Sequence, residues 1–215
     1  MLKIAVFVSG RGSNLRAILE SPKLVDLVSI EAIISDKVHC PAFEIAEEFS
    51  IDTYFLGKSE GSIQYSDLIK ILRSNDIEFI VLAGFLKMIP IEFIQAFKNR
   101  IINIHPALLP SFGGKGMYGM NVHKAVFNTS AKLSGATVHL VNEVYDAGEI
   151  IAQKSVDISD LKSPEQIAER VLKLEHELLP DVLEQIAHKK NSNDNIGLDG
   201  LRLINQTDII SAEKR

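Results

Sequence analysis

The chain has little of several features that would assign it to a particular class of protein. Its 215 residues include a single cysteine, Cys40. One cysteine can form neither an internal disulfide nor a cysteine-rich metal site, which fits a reducing compartment such as the cytoplasm. We therefore expect Cys40 to be an inert or a surface thiol rather than a nucleophile.

Long apolar runs and an excess of positive charge are also missing. No apolar stretch approaches the roughly 20 residues of a membrane span, and the apolar part of the N-terminal MLKIAVFVSGRG is too short for a signal peptide. The formal net charge of −5 argues against a nucleic-acid partner, because such binding is driven by clustered lysine and arginine. We expect a cytoplasmic protein with no membrane or nucleic-acid partner, and a small anionic substrate remains open.

The sequence does contain an alternation of strand-like and helix-like segments. KIAVFV (residues 3–8) is a continuous apolar run typical of a strand buried on both faces of a parallel sheet. The further predicted strands are residues 28–35, 52–56, 78–84 and 101–104, and the predicted helices begin at Leu15, cover residues 40–49 and 66–74, and follow Pro90. This order predicts an α/β fold with a mostly parallel twisted sheet and helices on both faces.

The pattern changes after Pro106. Residues 107–121 are rich in glycine and predict a long irregular loop. A short helix is expected at residues 122–128, and two extended segments, 135–141 and 149–158, predict a late antiparallel strand pair because their connection is short.

A last helix is expected from Ser163, as N-cap, to about Ala187, with Pro164 in its first turn and Gln166 three residues after the cap. No internal repeat or linker is evident. We therefore expect residues 1–215 to form one domain, with a core at about 2–187 and a polar tail at 188–215.

A glycine-rich turn, SGRGSN (residues 9–14), follows the first predicted strand. Gly10 and Gly12 permit positive φ and close backbone approach, and Ser13 and Asn14 add side-chain donors where a helix begins. Such a turn can bind phosphate; the alternative is a tight turn with a helix cap. Because Leu15 replaces the third glycine of the dinucleotide fingerprint and no Walker lysine is present, a small phosphorylated ligand is favoured over a dinucleotide.

Two polar residues interrupt the predicted strand IINIHP, residues 101–106. Asn103 and His105 share one face because side chains alternate along a strand. At the carboxyl end of a parallel strand, Asn103 could donate to a developing oxyanion, and His105 could titrate near neutrality. The alternative is a backbone-capping asparagine and a hydrogen-bonded core histidine.

A carboxylate completes the candidate set. Asp146 lies in the turn NEVYDAGEI between the two late strands. Facing His105, it would hold the imidazole tautomer, raise the pKa of His105 and stabilise imidazolium; the alternative is a simple turn residue.

Four segments together, SGRGSN, VLAGFLKMI (81–89), NIHPALLP (103–110) and VYDAGEII (144–151), resemble the phosphoribosylglycinamide formyltransferases of purine biosynthesis. GKGMYGMNVHKAV and GATVHLV are also similar to that family, and the resemblance runs from about Leu2 to Pro180. It implies a Rossmann-like formyltransferase fold. It also implies that the formyl group of 10-formyltetrahydrofolate, the co-substrate, passes to the amine of phosphoribosylglycinamide by direct attack through a tetrahedral intermediate, without a metal.

The resemblance also implies roles for individual residues. The catalytic residues would be Asn103, His105 and Asp146, with His139 as support behind them or, alternatively, in a packing role. The substrate would be bound by Gly12, Ser13, Asn14 and Glu175, and the folate by Leu86, Lys87, Met88, Ile89, Asn103, Val141, Asn142, Glu143, Val144 and Tyr145. The arginine that the family often carries for the folate carboxylates is missing, and Lys58 is the candidate replacement.

Other functions use a similar core. Methionyl-tRNA formyltransferase is not expected, because the chain is short and acidic, and LLPSFGGKG lacks the arginine-glycine that follows Leu-Leu-Pro there. Formyltetrahydrofolate deformylase is not expected, because its regulatory domain precedes the first strand, which begins here at Lys3. A non-catalytic binding module would have no use for an oxyanion donor beside a histidine–carboxylate pair. The expected partners are small molecules, and the protein is expected to be a monomer or a homodimer.

Overall fold

The computed structural model of the chain describes residues 1–192. In chain order its elements are β1 (Leu2–Val8), α1 (Ser13–Leu19), β2 (Val28–Ser35), α2 (Ala42–Glu48), β3 (Asp52–Phe55), α3 (Tyr65–Ser74), β4 (Phe79–Leu82), α4 (Ile91–Ala96), β5 (Ile101–His105), α5 (Met120–Phe127), β6 (Leu133–Leu140), β7 (Ile150–Asp157) and α6 (Pro164–Ser192).

The strands form one seven-stranded sheet in the order β3-β2-β1-β4-β5-β6-β7. The strands from β3 to β5 are parallel to their neighbours. β6 then runs antiparallel to β5, and β7 runs antiparallel to β6. The predicted α/β class, with a late antiparallel pair, is confirmed.

The core lies on both faces of this sheet. Ile4, Val6 and Val8 of β1 pack into one cluster, which also contains buried residues of α1, α2, α5 and α6. Ala5 and Phe7 point the other way, into a second cluster with buried residues of α3 and α4. The period-two alternation of a strand thus accounts for the uniformly apolar sequence of β1, since both of its faces are covered.

The sheet also determines where a ligand can bind. β1 lies between β2 and β4, so the strand order reverses beside it, and such a switch point leaves a crevice beyond the carboxyl ends of the strands. The turn at residues 9–14 follows β1, Gly84 follows β4, and His105 ends β5. Ile101 packs into one cluster while Ile102 and Ile104 pack into the other, so Asn103 and His105 share the face of Ile101, as expected.

The predicted elements are all present, with shifted bounds. The largest shift is in α6, which continues to Ser192 rather than ending near Ala187. Its last turns are polar, yet Lys190 forms an ion pair with Glu78, and lysines are favourable at a helix C-terminus. The rest of the predicted tail, from residue 193, lies outside the described residues.

The beginning of α6 forms as the sequence predicts. The Ser163 Oγ accepts the Gln166 N–H at 3.3 Å, and the Gln166 Oε1 accepts the Lys162 N–H at 2.7 Å. The first hydrogen bond satisfies a backbone donor that the first helical turn leaves unpaired, and the second holds the residue before the cap.

Candidate active site

A cavity of about 590 Å³ opens at the carboxyl ends of β1, β4 and β5. This volume is in the range of small-molecule sites. The cavity joins the turn after β1, the segment after β4, the end of β5, the glycine-rich loop, the β6–β7 turn and one face of α6. Most of the residues singled out in the sequence line it: Gly12, Ser13, Asn14, Leu86, Lys87, Met88, Ile89, Asn103, His105, His139, Val141, Asn142, Val144, Tyr145, Asp146 and Glu175.

Four polar side chains from three distant segments meet in this cavity. The Asp146 Oδ2 lies 3.7 Å from the His105 Nδ1, and the Asp146 Oδ1 lies 3.6 Å from the His139 Nε2. The Asn103 Nδ2 lies 3.0 Å from the same His139 Nε2. Asn103 and His139 are opposite each other in the β5–β6 register, which explains their proximity. The structure therefore brings the predicted catalytic residues together, although their roles remain predictions.

His139 controls the orientation of the Asn103 amide. The His139 Nδ1 lies 2.8 Å from the Leu140 carbonyl oxygen, which can only accept, so Nδ1 carries the proton. The His139 Nε2 must then accept from the Asn103 Nδ2. The amide group of Asn103 is thereby held with its NH₂ group toward His139, and the second hydrogen of that group remains available as a donor.

The glycine-rich loop controls His105 and Asp146 in a similar way. The His105 Nε2 donates to the Phe112 carbonyl oxygen at 2.9 Å, which leaves Nδ1 as the ring atom that faces Asp146. The Gly114 N–H donates to the Asp146 Oδ2 at 2.8 Å. Gly113 lies between these two contacts, and an added Cβ would lie 2.5 Å from the Leu109 Cδ2 and 3.1 Å from the Asp146 Cβ, so a side chain there would require its neighbours to shift.

The charge state of the pair follows from burial and from these contacts. Burial lowers the pKa of His105 more than the neighbouring Asp146 raises it, so the net shift is downward. Asp146 thus acts on the pKa of His105 in the expected direction, but desolvation of the imidazolium outweighs the attraction of one carboxylate. Burial acts to raise the pKa of Asp146, but hydrogen bonding holds it below its usual value. This hydrogen bond comes from the Gly114 N–H. The His139 Nε2 accepts from Asn103 and so has no proton to donate to Asp146.

Asp146 also has an unusual backbone. Its φ of 52° lies in the left-handed region, which non-glycine residues seldom adopt and which aspartate and asparagine tolerate best. Gly148 follows, and a Cβ there would lie 1.7 Å from the Leu140 carbonyl oxygen. This tight turn directs the carboxylate toward β5, and such backbone strain is common at functional sites.

The turn after β1 forms another part of the cavity wall. Gly12 has a φ of 75°, and an added Cβ would lie 2.8 Å from the Ala42 Cβ, so only glycine fits. Gly10 does not adopt a positive φ. The Asn14 Nδ2 donates to the Glu175 Oε2 at 2.7 Å, and among the described residues the buried Asn14 Oδ1 has no partner. Burial raises the pKa of Glu175 to about 7, against the opposing effect of Asn14.

The segments predicted to hold the folate form a partly apolar wall. Leu86, Met88, Val144 and Tyr145 are large apolar side chains that remain exposed at the cavity. The Ser9 Oγ fixes the first segment by accepting the Leu86 N–H at 2.9 Å. Glu143 is exposed and does not line the cavity, unlike its neighbours, so the structure does not place it with the other predicted folate contacts.

Several residues that the sequence did not single out help to build the site. They are Phe112, Gly113 and Gly114 in the loop, Thr137 of β6, and Leu172 of α6. Thr137 accepts the Leu109 N–H and donates to the Ala107 carbonyl oxygen, which fixes the start of the loop. Backbone groups carry most of these contacts, so residue type offered no signal for them.

His123, which belongs to the segment GKGMYGMNVHKAV, lines the cavity with a buried Nδ1 that has no partner among residues 1–192. Burial and the nearby His105 lower the pKa of His123 to about 4. His123 is therefore a neutral imidazole at neutral pH.

Other expectations have mixed outcomes. Cys40 is buried, and its thiol contacts the Gly10 carbonyl oxygen at 3.3 Å, which removes the surface alternative. Lys58 is exposed and does not line the cavity.

In the described part of the chain, no group of three or more histidine, cysteine, aspartate or glutamate side chains is placed to hold a metal ion. No helix within residues 1–192 is long and apolar enough to span a membrane.

Comparison with known proteins identifies the family of the chain. Residues 2–183 match the family described as formyl transferase. The chain is 43% identical over 193 residues to the chloroplastic phosphoribosylglycinamide formyltransferase of Arabidopsis thaliana, covering 87% of the chain and 66% of that protein. It is 38% identical over 195 residues to the phosphoribosylglycinamide formyltransferase of Bacillus subtilis, covering 89% of the chain and 97% of that protein.

Solved structures give the same result. The phosphoribosylglycinamide formyltransferase of Anaplasma phagocytophilum superposes with a TM-score of 0.79 at 33% identity, covering 88% of each chain. The chain spans only 66% and 62% of the length of two plant relatives, from Arabidopsis thaliana and Vigna unguiculata. The chain belongs to the formyl transferase family and, within it, to the phosphoribosylglycinamide formyltransferases.

Proposed function

We propose that the protein transfers the formyl group of 10-formyltetrahydrofolate to the amine of phosphoribosylglycinamide, a step of purine biosynthesis. The observation that carries this proposal is the convergence of Asn103, His105 and Asp146 in one cavity, with 3.7 Å between the His105 Nδ1 and the Asp146 Oδ2. We further propose that the chain is a single formyltransferase domain with its core at about residues 2–187, which acts in the cytoplasm as a monomer or a homodimer.

The wall of the cavity fits a folate. The apolar side chains of Leu86, Met88, Ile89, Val141, Val144 and Tyr145 suit a flat pterin ring, and backbone groups of the same segments can meet its polar edge. The folate supplies a formyl carbon that is bonded to nitrogen and open to attack by an amine. Lys87 and Asn142 are the polar side chains of these segments that line the cavity.

Asn103 acts on the oxygen of the formyl group. Its NH₂ group is held by the His139 Nε2 at 3.0 Å and has one hydrogen left to donate. As the amine attacks, negative charge develops on the formyl oxygen, and a donor held in place beforehand stabilises that charge without reorganisation. Removing one such donor commonly costs on the order of a hundredfold or more in rate.

His105 and Asp146 act on the proton. The new bond joins the substrate nitrogen to the formyl carbon, the bond from that carbon to the folate nitrogen breaks, and one proton passes from the first nitrogen to the second. The His105 Nδ1 is free to take this proton and return it, because Nε2 is occupied by the Phe112 carbonyl oxygen. Asp146 stabilises the imidazolium that forms, directly or through water.

The turn after β1 and Glu175 of α6 fit the substrate. Gly12, Ser13 and Asn14 would receive its phosphate, and Glu175 would accept hydrogen bonds from the ribose hydroxyls. Glu175 is buried but lines the cavity, and Asn14 holds one of its oxygens. A buried carboxylate with a raised pKa at the cavity wall suits the recognition of neutral hydroxyl groups better than that of a cation.

The test is an activity measurement with purified protein. With both substrates present, formylated product and tetrahydrofolate should appear in a ratio of one to one, and omission of the amine should stop the release of tetrahydrofolate. Release of formate without the amine would instead identify a hydrolase. Tight folate binding without any turnover would identify a binding module and refute the proposal.

A further inference from the structure

Three cationic side chains line the cavity, and one of them comes from the glycine-rich loop. They are Arg11 in the turn after β1, Lys87 in the apolar wall, and Lys115 in the loop. Lys115 is exposed and has no hydrogen-bond or ion-pair partner within residues 1–192. We propose that Lys115 binds the phosphate of the substrate and makes the enzyme selective for the phosphorylated form; the inference rests on the function proposed above.

The carboxylates of the cavity do not need the charge of Lys115. The cavity is lined by two of them, Asp146 and Glu175. Asp146 accepts the Gly114 N–H at 2.8 Å, and Glu175 accepts the Asn14 amide at 2.7 Å and is half protonated near pH 7. Since neither is available as a close partner for a lysine, the charge of Lys115 is free to meet an anionic ligand.

Packed helices connect the loop of Lys115 to the residues proposed to bind the substrate. The loop that carries it leads into α5, which packs against α6, and α6 packs in turn against α1, the helix that follows the phosphate turn. α6 also carries Glu175. The apolar wall has its own cation, Lys87. A phosphate is therefore a closer match for Lys115 than the carboxylates of a folate.

The segments proposed to bind the substrate contribute few other positive charges to the cavity. α6 lines the cavity with Leu172 and Glu175, which are apolar and acidic, and so contributes no positive charge. Arg16 of α1 is already paired with Glu48, at 2.8 Å. Arg11 and Lys115 thus remain to balance a phosphate dianion, and they come from different segments of the wall.

The backbone around Lys115 suits a residue that closes on a ligand. Gly114 and Gly116 flank it, with φ values of 96° and 89°, which are conformations that favour glycine. The loop before it is tied to the reaction centre through the Phe112 carbonyl oxygen and the Gly114 N–H. Lys115 follows directly after Gly114, whose N–H holds Asp146.

The experiment compares Lys115→Met with Lys132→Met, which removes an exposed lysine that does not line the cavity. A charge-assisted hydrogen bond lost in Lys115→Met should raise KM for phosphoribosylglycinamide roughly tenfold to a hundredfold. The kcat and the KM for formylfolate should stay within about twofold, and Lys115→Arg should recover most of the affinity. Lys132→Met should match the wild type.

Two further measurements separate a phosphate contact from a general effect. The same substrate without its phosphate, glycinamide riboside, should show no difference between the wild type and Lys115→Met. Calorimetric titration with ribose 5-phosphate, which needs no turnover, should show weaker binding to Lys115→Met and wild-type binding to Lys132→Met.

The outcomes discriminate clearly. An unchanged KM for phosphoribosylglycinamide, an equal rise in KM for the riboside, or a rise confined to formylfolate would each overturn the assignment of Lys115 to the phosphate. A wild-type protein that transfers no formyl group would instead overturn the proposed function, and the titration with ribose 5-phosphate would still report on Lys115.

Discussion

Replacing Asp146 by asparagine is the most direct test of the proposed mechanism. The change keeps the shape of the side chain, and asparagine also tolerates the left-handed backbone of this position, where φ is 52°. The amide oxygen can still accept the Gly114 N–H. The variant therefore removes the negative charge and little else.

The expected loss follows from the distance between the charges. At the 3.7 Å between the His105 Nδ1 and the Asp146 Oδ2, an imidazolium and a carboxylate attract by about 4.5 kcal/mol for an effective dielectric constant of ~20, and by about 1 kcal/mol in water. The Asp146 side chain is only 12% exposed. We therefore expect a loss of about 2–4 kcal/mol in the transition state, or roughly 30- to 1,000-fold in kcat.

Steady-state kinetics with both substrates would measure this loss. The KM values should stay within about threefold, because the charge acts on the proton rather than on binding. Asp26→Asn is a matched control, since Asp26 is exposed and does not line the cavity. A fall in kcat of less than about threefold, with chemistry shown to limit the rate, would remove Asp146 from the mechanism.

Three further predictions follow from buried groups and close backbone contacts. His123→Leu should make the protein less sensitive to acid. Burial and His105 lower the pKa of His123 to about 4 from an ordinary 6.5, so the unfolded chain binds the proton before the folded protein does. The stability of the wild type therefore falls as the pH drops from 6.5 toward 4. Urea unfolding at pH 7.5 and pH 5 should show that about 2 kcal/mol of the wild-type loss is missing in the variant; equal losses would contradict the shifted pKa. Glu175→Gln should raise KM for phosphoribosylglycinamide roughly tenfold above pH 8 and much less at pH 6. The reason is that burial raises the pKa of Glu175 to about 7, and only the ionised carboxylate accepts strongly from hydroxyl groups. A ratio of the KM values of variant and wild type that does not vary with pH would argue against this titration. Gly135→Ala should destabilise the protein by about 1–3 kcal/mol or more, because the new Cβ would lie 2.0 Å from the Lys154 carbonyl oxygen; unchanged urea unfolding would show that β6 and β7 can separate without cost.

The sequence by itself was sufficient for the fold class. Most strands of the parallel part are short apolar runs, and β1 to β4 are each followed by a helical pattern, which together require crossovers and a sheet between two layers of helices. The clearest case is β1, whose alternate residues enter the two core clusters. Local chemistry also determined the capping of α6 by Ser163 and Gln166, because the groups involved are neighbours in the chain.

The components of the site were also recognisable from local sequence. Asn103, His105 and Asp146 stood out because polar side chains at the end of a buried strand and in a tight turn need a partner or a function. The end of α6 did not stand out, because a polar helix end and a polar tail have the same composition, and the pairing of Lys190 with the distant Glu78 decides between them.

Only the tertiary structure decided how the site works. The β5–β6 register sets Asn103 opposite His139 and so determines which atom of the amide faces which nitrogen. The tautomer of His105 depends on the Phe112 carbonyl oxygen, and the net lowering of its pKa depends on burial. Such properties depend on backbone groups and on exclusion of water, which residue identity does not encode. The residue types thus established which chemistry was available, and the packing determined which atom of each side chain carries a proton and what that atom faces.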